Sequence, residues 1–467
     1  MTALPRASGD DGVAQAPAAP QASKATRRAV LAATVLGSSL GFIDGSVVNV
    51  ALPALQSALG ASAPLVQWVI NAYLLLLGAL VLVGGAAADR FGRRRVFVAG
   101  VLLFAAASLA CALAPTAAIL IAARAVQGFA AALMTPASLA LVGATFSPEE
   151  RPRAFGIWAG AGALTTAFAP VLGGWLVDTV GWRAIFLLNL PLAAIAVVVA
   201  LWRVPESRDP AAQTLDWVGA LMAAFALGSL TFGLTIAPVL GWGASTLGWV
   251  IGGVVLLAGF VLFEQHSRAP MLPLSLFRSR AFSALNAMTL LLYFALSGMM
   301  FLLPFELIRV EGYSTTAAGS ALVPFAIVMG AFSSAAGRLA RRIGERVQLT
   351  IGPIIACAGI AWLGMTAAGA SYWTTRLPAL LVLAVGMTLT VGPLTASVMT
   401  AVEERHAGLA SGVNNAVARV AALLAVAVMT IIVAGSATSP NADVLAATDR
   451  DAFHRGFRAA MIVAAAC

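Results

Sequence analysis

Charge is what this chain has least of. Only 10% of its 467 residues are Asp, Glu, Lys or Arg, against about 25% in ordinary soluble domains. With 60% hydrophobic residues and a mean hydropathy of +0.93, so few charges cannot cover the apolar surface, which excludes a water-soluble globule. Cysteine is nearly missing too. Cys111, Cys357 and Cys467 lie far apart, each in an apolar run, so there is no disulfide framework and no metal-ligand spacing, and they read as small buried hydrophobes. The three histidines, His266, His406 and His454, sit at loop or helix ends and read as solvated polar surface. A Gly-rich loop closing on Gly-Lys-Ser/Thr is absent, which argues against ATP-driven work. A His-Glu metal motif and a Gly-x-Ser-x-Gly elbow are absent as well, so neither an enzyme nor a cofactor or metal is expected.

What is there in quantity is long apolar segments. Runs of about 20 such residues are long enough to span a bilayer as helices. They fall at about 29–53, 65–87, 96–114, 116–146, 154–178, 183–202, 217–238, 246–264, 282–305, 315–337, 347–369, 376–401, 408–435 and 452–467, each with a boundary error of a few residues. Residues 1–28, rich in Ala, Pro and Ser without a hydrophobic period, read as a disordered cytoplasmic tail. No secretory signal peptide with a cleavage site precedes the first helix, which is therefore expected to stay in the membrane. The last run is short, and a truncated, weakly anchored fourteenth helix is expected.

Positive charge orients the array, because cytoplasmic loops retain Lys and Arg. With the N-terminus inside, the inner segments hold twenty such residues, among them Arg90, Arg93, Arg94, Arg95, Arg338 and Arg342; the outer ones hold six, including Arg309, Arg376 and Arg455. The net charge of +9 is scattered through these short loops and forms no basic domain, so no nucleic-acid partner is expected.

The chain repeats itself. "GAAADRFGRRRV" from Gly85 returns as "GRLARRIGERVQ" from Gly337, an offset of 252 residues that also maps Arg124 onto Arg376. Helices 1–6 (29–202) thus match helices 9–14 (282–467), with a linker and two helices inserted at 203–281. Parallel six-helix repeats suggest a transporter whose site lies between the halves.

Four stretches carry a family resemblance over nearly the whole chain from about Ala29: "GAAADRFGRRR" at Gly85, "RAVQG" at Arg124, "GIWAGAGALTTAFAPVLGG" at Gly156 and "DGSVVNVALP" at Asp44. They resemble the signature loop, the helix-4 motif, the antiporter motif and the helix-1 motif of the major facilitator superfamily, in its fourteen-helix drug:proton antiporter branch. "WVINAY" at Trp68 and "GWRAIFLLNLP" at Gly181 resemble that branch as well. The resemblance implies an all-α membrane fold of two six-helix halves that alternate access.

The residues themselves support roles within that picture. Gly85 lets helix 2 pack closely and Gly92 permits a tight turn. Asp89 has Arg90, Arg93 and Arg94 as possible partners, and the family implies that it also meets the N-terminus of helix 13 near Ala407, a latch on the inner gate. The second copy has Arg341 at that position and lacks the acid. On helix 5, Gly156, Gly160, Gly173 and Gly174 with Pro170 favour close packing and a bend; that the bend favours exchange is implied by the resemblance alone, and Thr165 and Ala169 replace glycines of the family pattern. Asp44 lies about 23 Å along helix 1 and Arg124 about 12 Å from the outer end of helix 4, so both charges fall at similar depth in the outer half of the membrane. Each would cost at least ~2.5–3.5 kcal/mol facing lipid. Asp44 is therefore the candidate proton carrier, with a structural ion pair as the plainer reading. Asn49, Gln127, Asn414 and Arg419 are candidates for the substrate cavity or for bracing helices. Met299, Met300, Phe294, Phe301 and Phe305 line an adaptable apolar pocket or face lipid, and Glu306 projects to the outer rim as a solvated residue.

Together these readings describe a monomer in the cytoplasmic membrane whose partners are the lipid bilayer, protons and a small amphipathic substrate. Export of drugs or antibiotics by proton antiport is the leading function. A dedicated exporter of one metabolite, and a non-transporting sensor or assembly partner, stay open as alternatives.

Overall fold

The computed structural model describes residues 23–147, 150–208, 216–267, 270, 272–402, 407–435 and 450–467. Residues 1–22, and with them most of the expected tail, lie outside that set, as do Arg268, Arg405 and His406. All regular structure in the described residues is helical. The helices are α1 Lys24–Leu59, α2 Ala63–Phe91, α3 Arg93–Leu113, α4 Ala117–Thr145, α5 Arg151–Thr179, α6 Ala184–Arg203, α7 Trp217–Leu240, α8 Ala244–His266, α9 Arg280–Val310, α10 in two pieces (Thr315–Ser320 and Val323–Ile343), α11 Glu345–Met365, α12 Tyr372–Thr400, α13 Ala407–Ala434 and α14 Arg450–Ala466. Thirteen helices among the described residues are long and apolar enough to cross a membrane; α14, with 17 residues, falls just short.

The first helix begins earlier than composition suggested. Ser23 caps it, its Oγ accepting from the N–H of Thr26 at 3.1 Å, so residues 24–28 are helix and not tail. The side of the bundle where α1 begins is called the near side below, and the opposite one the far side. Successive long helices run between the two.

Small residues decide how closely the helices approach. A Cβ at Gly84 would sit 1.9 Å from the carbonyl oxygen of Ala132, and one at Gly128 would sit 2.3 Å from that of Tyr73, so α2 and α4 touch backbone to backbone. Gly85, the glycine singled out in sequence, has only an ordinary contact with Pro136 at 3.6 Å. The correction is one of helical phase: Gly84 faces α4 and its neighbour does not. Gly92 turns the chain with φ +109°, a conformation that side chains rarely adopt.

α1 packs on α4, α5 and α6, and α9 on α13 and α14. α7 lies against α2 and α13, and α8 packs on α7 with most of its surface outward, apolar and fit for lipid. The expected weak anchoring of α14 is not observed. Its Phe453, Phe457, Ala460, Met461 and Ala464 are buried on one face, and Gly456 lies against the backbone of Val433 in α13. Met299, Phe301 and Phe305 are core as well, neither pocket nor lipid face; Phe305 stacks near Phe453 of α14.

Candidate functional site

The centre of the first half is a buried polar network on α1, α3, α4 and α6. Arg124 projects from α4, and its Nη1 donates to the Asp44 carboxylate of α1. Both side chains are 1% exposed. The guanidinium makes further contacts. Nη1 also donates to Gln127 Oε1 at 2.9 Å, and Nε to the carbonyl of Val69 at 2.9 Å. Its flat face lies 4.4 Å from the ring centre of Tyr73, which adds a cation–π contact. The close approach of α2 permitted by Gly128 is what brings Tyr73 and the Val69 carbonyl within reach.

Gln127 extends the network. Its Nε2 donates to Ser108 Oγ at 2.7 Å and lies 3.4 Å from Asp44 Oδ1; Ser108 in turn accepts from Asn189 Nδ2 at 3.2 Å. Cys111 joins in, its Sγ 3.2 Å from Gln127 Oε1. Gln127 is fully buried and braces helices, one of the two roles the sequence left open for it, and Cys111 is a hydrogen-bonding member of the network as well as a buried hydrophobe. The other two cysteines are not buried: Cys357 is half-buried and Cys467 exposed.

Asn49 turns back on its own helix, donating to the Gly45 carbonyl at 3.0 Å. Asn414 crosses from α13 to α9, donating to Thr289 Oγ1 at 2.6 Å and to Asn286 at 3.3 Å. Arg419 is half-buried between the halves, its Cβ 3.1 Å from the place a Cβ on Gly78 of α2 would take. It has no acidic partner among the described residues. Sequence reading passed over Gln67 and Asn71, buried residues that share the Gly78 face of α2 by helical spacing and whose side-chain polar atoms lack partners among the described residues. The signal was available: two amides four residues apart in an apolar span.

The far side is closed by contacts between α1 and α5 of the first half and α9 and α10 of the second. Asp178 at the end of α5 accepts from the N–H of Thr315 at 3.3 Å and of Thr316 at 2.8 Å, where α10 begins. Arg309 Nη2 donates to Gln56 Oε1 of α1 at 2.6 Å. Gly174 admits the carbonyl of Thr315, and Gly319 that of Pro170. On α5, Gly173 lies against Val47 and Gly162 against Phe42, while nothing lies within 4 Å of a Cβ built at Gly156 or Gly160. Close packing of this helix is thus confined to its middle and far-side part, and those two glycines do not contribute to it.

At the near side, Asp89 is held by Arg93, with Nη2 at 2.8 Å, one helical turn away across Gly92. Arg90 is exposed beside Phe91. Arg94 turns away to Glu206, whose carboxylate accepts from the N–H groups of Arg94 and Arg95 and so caps α3. Glu206 follows α6 and had drawn no notice in sequence.

The correction of largest consequence lies at the far end of the second half. Glu306 is not solvated; it is fully buried, 2.5 Å from His454 Nδ1 and 4.0 Å from Arg376 Nη2. His454, expected at the surface, and Arg376, counted among the outer loop charges, are buried with it. α9 runs on past Phe305 through one wider turn, Glu306–Val310, and α14 covers it. His266, by contrast, is exposed as expected.

A bundle of membrane-length helices, in two related sets around charged pairs, is the build of a solute transporter rather than an enzyme. The chain belongs to the Major Facilitator Superfamily, whose model matches residues 34–426. It is 35% identical over 411 residues to the multidrug resistance protein Stp of Mycobacterium tuberculosis, covering 88% of this chain and 76% of that one. It is 33% identical over 406 residues to the tetracenomycin C resistance and export protein of Streptomyces glaucescens, covering 86% and 75%. Its fold matches that of a bacterial homologue of the human lysosomal transporter Spinster with a TM-score of 0.66 at 17% identity, covering 95% of each chain. It is a multi-pass membrane protein.

Proposed function

We propose that this protein exports small amphipathic drugs or antibiotics across the cytoplasmic membrane in exchange for protons, with its N-terminus in the cytoplasm. Export is supported by the relatives named for drug resistance, and orientation by the arginine-rich near-side segments. The observation that carries the proton coupling is the buried Asp44–Arg124 pair.

With Asp44 ionised, the pair is neutral and α1 is held on α4. A proton on Asp44 cancels the attraction and leaves Arg124 to Gln127 and the Val69 carbonyl, which it already engages. α1 is then freer to move against α5, on which it packs through Val47 and Gly173. Proton binding and helix movement are coupled because both act on the same contact. Arg419 on α13 lies against Gly78 of α2, Asn414 on α13 reaches α9, and Gln67 and Asn71 share the Gly78 face of α2 by helical spacing, a surface where substrate would meet both halves.

Asp44→Asn in proteoliposomes tests the reading. An amide does not titrate, so export driven by a pH gradient should be lost while substrate counterflow persists. Gradient-driven export at the wild-type rate would remove Asp44 as the carrier, and absence of any counterflow by the wild-type protein would point to a sensor or assembly partner.

A further inference from the structure

We propose that the inserted helices α7 and α8 seal one of the two seams between the halves against lipid, and that substrate dissolved in the near-side leaflet enters through the other seam, between α5 and α10. The entry route rests on the export reading above; the sealing of one seam does not.

The two seams start out equivalent. By the 252-residue repeat, α10 stands in the second half where α2 stands in the first, and α13 where α5 stands. One seam is therefore α2 against α13 and the other α5 against α10, the same pair of positions used twice. The inserted helices cover the first. There α2 and α13 touch in the middle, at Gly78 and Arg419, and again toward the near side, where a Cβ on Gly412 would sit 2.8 Å from Leu82. α7 lies across both helices. Its Gly228 admits Leu75 of α2, and the ring of its Phe232 is 6.1 Å from that of Trp68. α8 backs α7 closely: a Cβ on Gly253 would sit 2.6 Å from the backbone nitrogen of Leu230, and the Trp249 ring is 5.0 Å from that of Phe232. Val254, Val255 and Leu262 of α8 are exposed and apolar. Two layers of helix thus stand between this seam and the lipid.

The second seam is tight at one end and parted at the other. In its far half, a Cβ on Gly174 would sit 2.4 Å from the Thr315 carbonyl oxygen, and one on Gly319 would sit 2.1 Å from that of Pro170. Gly156 precedes Gly174 by about five helical turns, so it lies on the same face of α5. Gly330 and Gly337 follow Gly319 by about three and five turns, and Ala321 and Leu322 keep right-handed helical torsions between the two pieces of α10. Yet among the described residues nothing lies within 4 Å of a Cβ built at Gly156, Gly160, Gly330 or Gly337. The faces that meet at the far side have separated by the near side. Ile157, Leu164 and Phe168 of α5 and Phe332 of α10 are exposed there. Apart from α1, no helix among the described residues packs on both α5 and α10.

The parted end suits an amphipathic guest. Its apolar side chains favour a solute that already sits in the leaflet beside them. Guanidinium groups stand at its mouth. Arg151 and Arg153 at the start of α5 and Arg342 at the end of α10 are exposed, and Arg338 and Arg342 line a cavity of about 410 Å³ with Ala335 and Leu339. Cations at that level lie among headgroups and hold the polar end of a solute while its apolar part moves between the helices. The covered seam offers no such passage, since Leu82 and Arg419 fill it.

A diazirine-bearing phosphatidylglycerol, photolysed in membranes that hold the full-length wild-type protein, tests the seal. Mass spectrometry should find adducts on α8 over 254–262, on α5 over 156–168 and on α10 over 330–337. It should find none above background at Leu75, Gly78 or Leu82 of α2, or at Gly412 or Arg419 of α13. Equal labelling of the two seams overturns the proposal, as does a near half of α5 and α10 that stays unlabelled. This arm uses no variant and needs no transport, so its failure is distinct from failure of the export reading. The route is tested in proteoliposomes with a lipid-partitioned dye that the wild-type protein exports. Gly160→Trp fills the gap and should raise KM for the dye by about fivefold or more while kcat holds. The same bulk on the exposed face of α8, in Val255→Trp, should change neither. Where Gly160→Trp fails to fold, Gly330→Leu takes its place. A KM at the wild-type value in the folded variant overturns the α5–α10 route.

Discussion

Asp178 accepts a hydrogen bond from the backbone N–H of Thr316 at 2.8 Å, joining the last turn of α5 to the start of α10 across the two halves of the molecule. The carboxylate also takes the Thr316 hydroxyl at 2.5 Å and the Thr315 N–H at 3.3 Å. An acid at a helix start is favourable, and this one is spent on holding the far side shut.

Asp178→Asn should therefore loosen the far side. The site is exposed, so screening limits the loss to about 1 kcal/mol, or roughly a fivefold change in the open population. Spin labels at Val180 and Gly312, read by pulsed distance measurement, should show a larger far-side-open fraction. An unchanged distance distribution would count against the latch.

Asp89→Asn should do the opposite. In the far-side-closed structure Asp89 meets Arg93 alone among the described residues, an i,i+4 pair worth about 0.3–0.5 kcal/mol, so melting should barely change. Transport should nevertheless fall several-fold on the proposed role of Asp89 as a near-side latch in the other state. Wild-type turnover by this variant would reject a gating role.

Arg124→Ala leaves the Asp44 carboxylate buried without its cation and should destabilise the protein by about 3–5 kcal/mol. Adding Asp44→Asn to the same chain should recover part of that loss, because the charge left alone is gone. Thermal unfolding of the two single variants and the double variant in detergent checks this; additive effects would mean that the two residues do not form an energetic pair.

Gly84→Ala and Gly85→Ala should part company. The first drives a methyl to 1.9 Å from the Ala132 carbonyl and should reduce folded yield sharply; the second makes a contact at 3.6 Å and should be tolerated. Detergent-solubilised yield and melting temperature decide. Equal behaviour would contradict the close packing of α2 on α4.

The helices and the Asp44–Arg124 pair were legible because they follow from rules along one chain. Apolar length marks a span, and counting 1.5 Å per residue from each end placed two lone charges at one depth. The same counting misplaced Glu306. It put the residue at the rim and treated the rim as water, but α9 continues past Phe305 and α14 lies over it. Ser108, Asn189 and Gln127 were legible only as scattered polar residues, since nothing in their spacing shows that three helices bring them to one point.

By itself, then, the sequence determined a multi-span membrane protein with a duplicated plan and a carboxylate in its first helix that must avoid lipid. Helical period, hydrophobic length and the cost of burying charge are local quantities, and a single strand of text carries them. The tertiary structure alone decided which charges meet: Arg376 and His454 with Glu306, Asp178 with the start of α10, Glu206 with the start of α3. Those encounters depend on helix phase and on the few ångströms that a glycine grants or a side chain denies, and such distances exist only once helices far apart in sequence have packed.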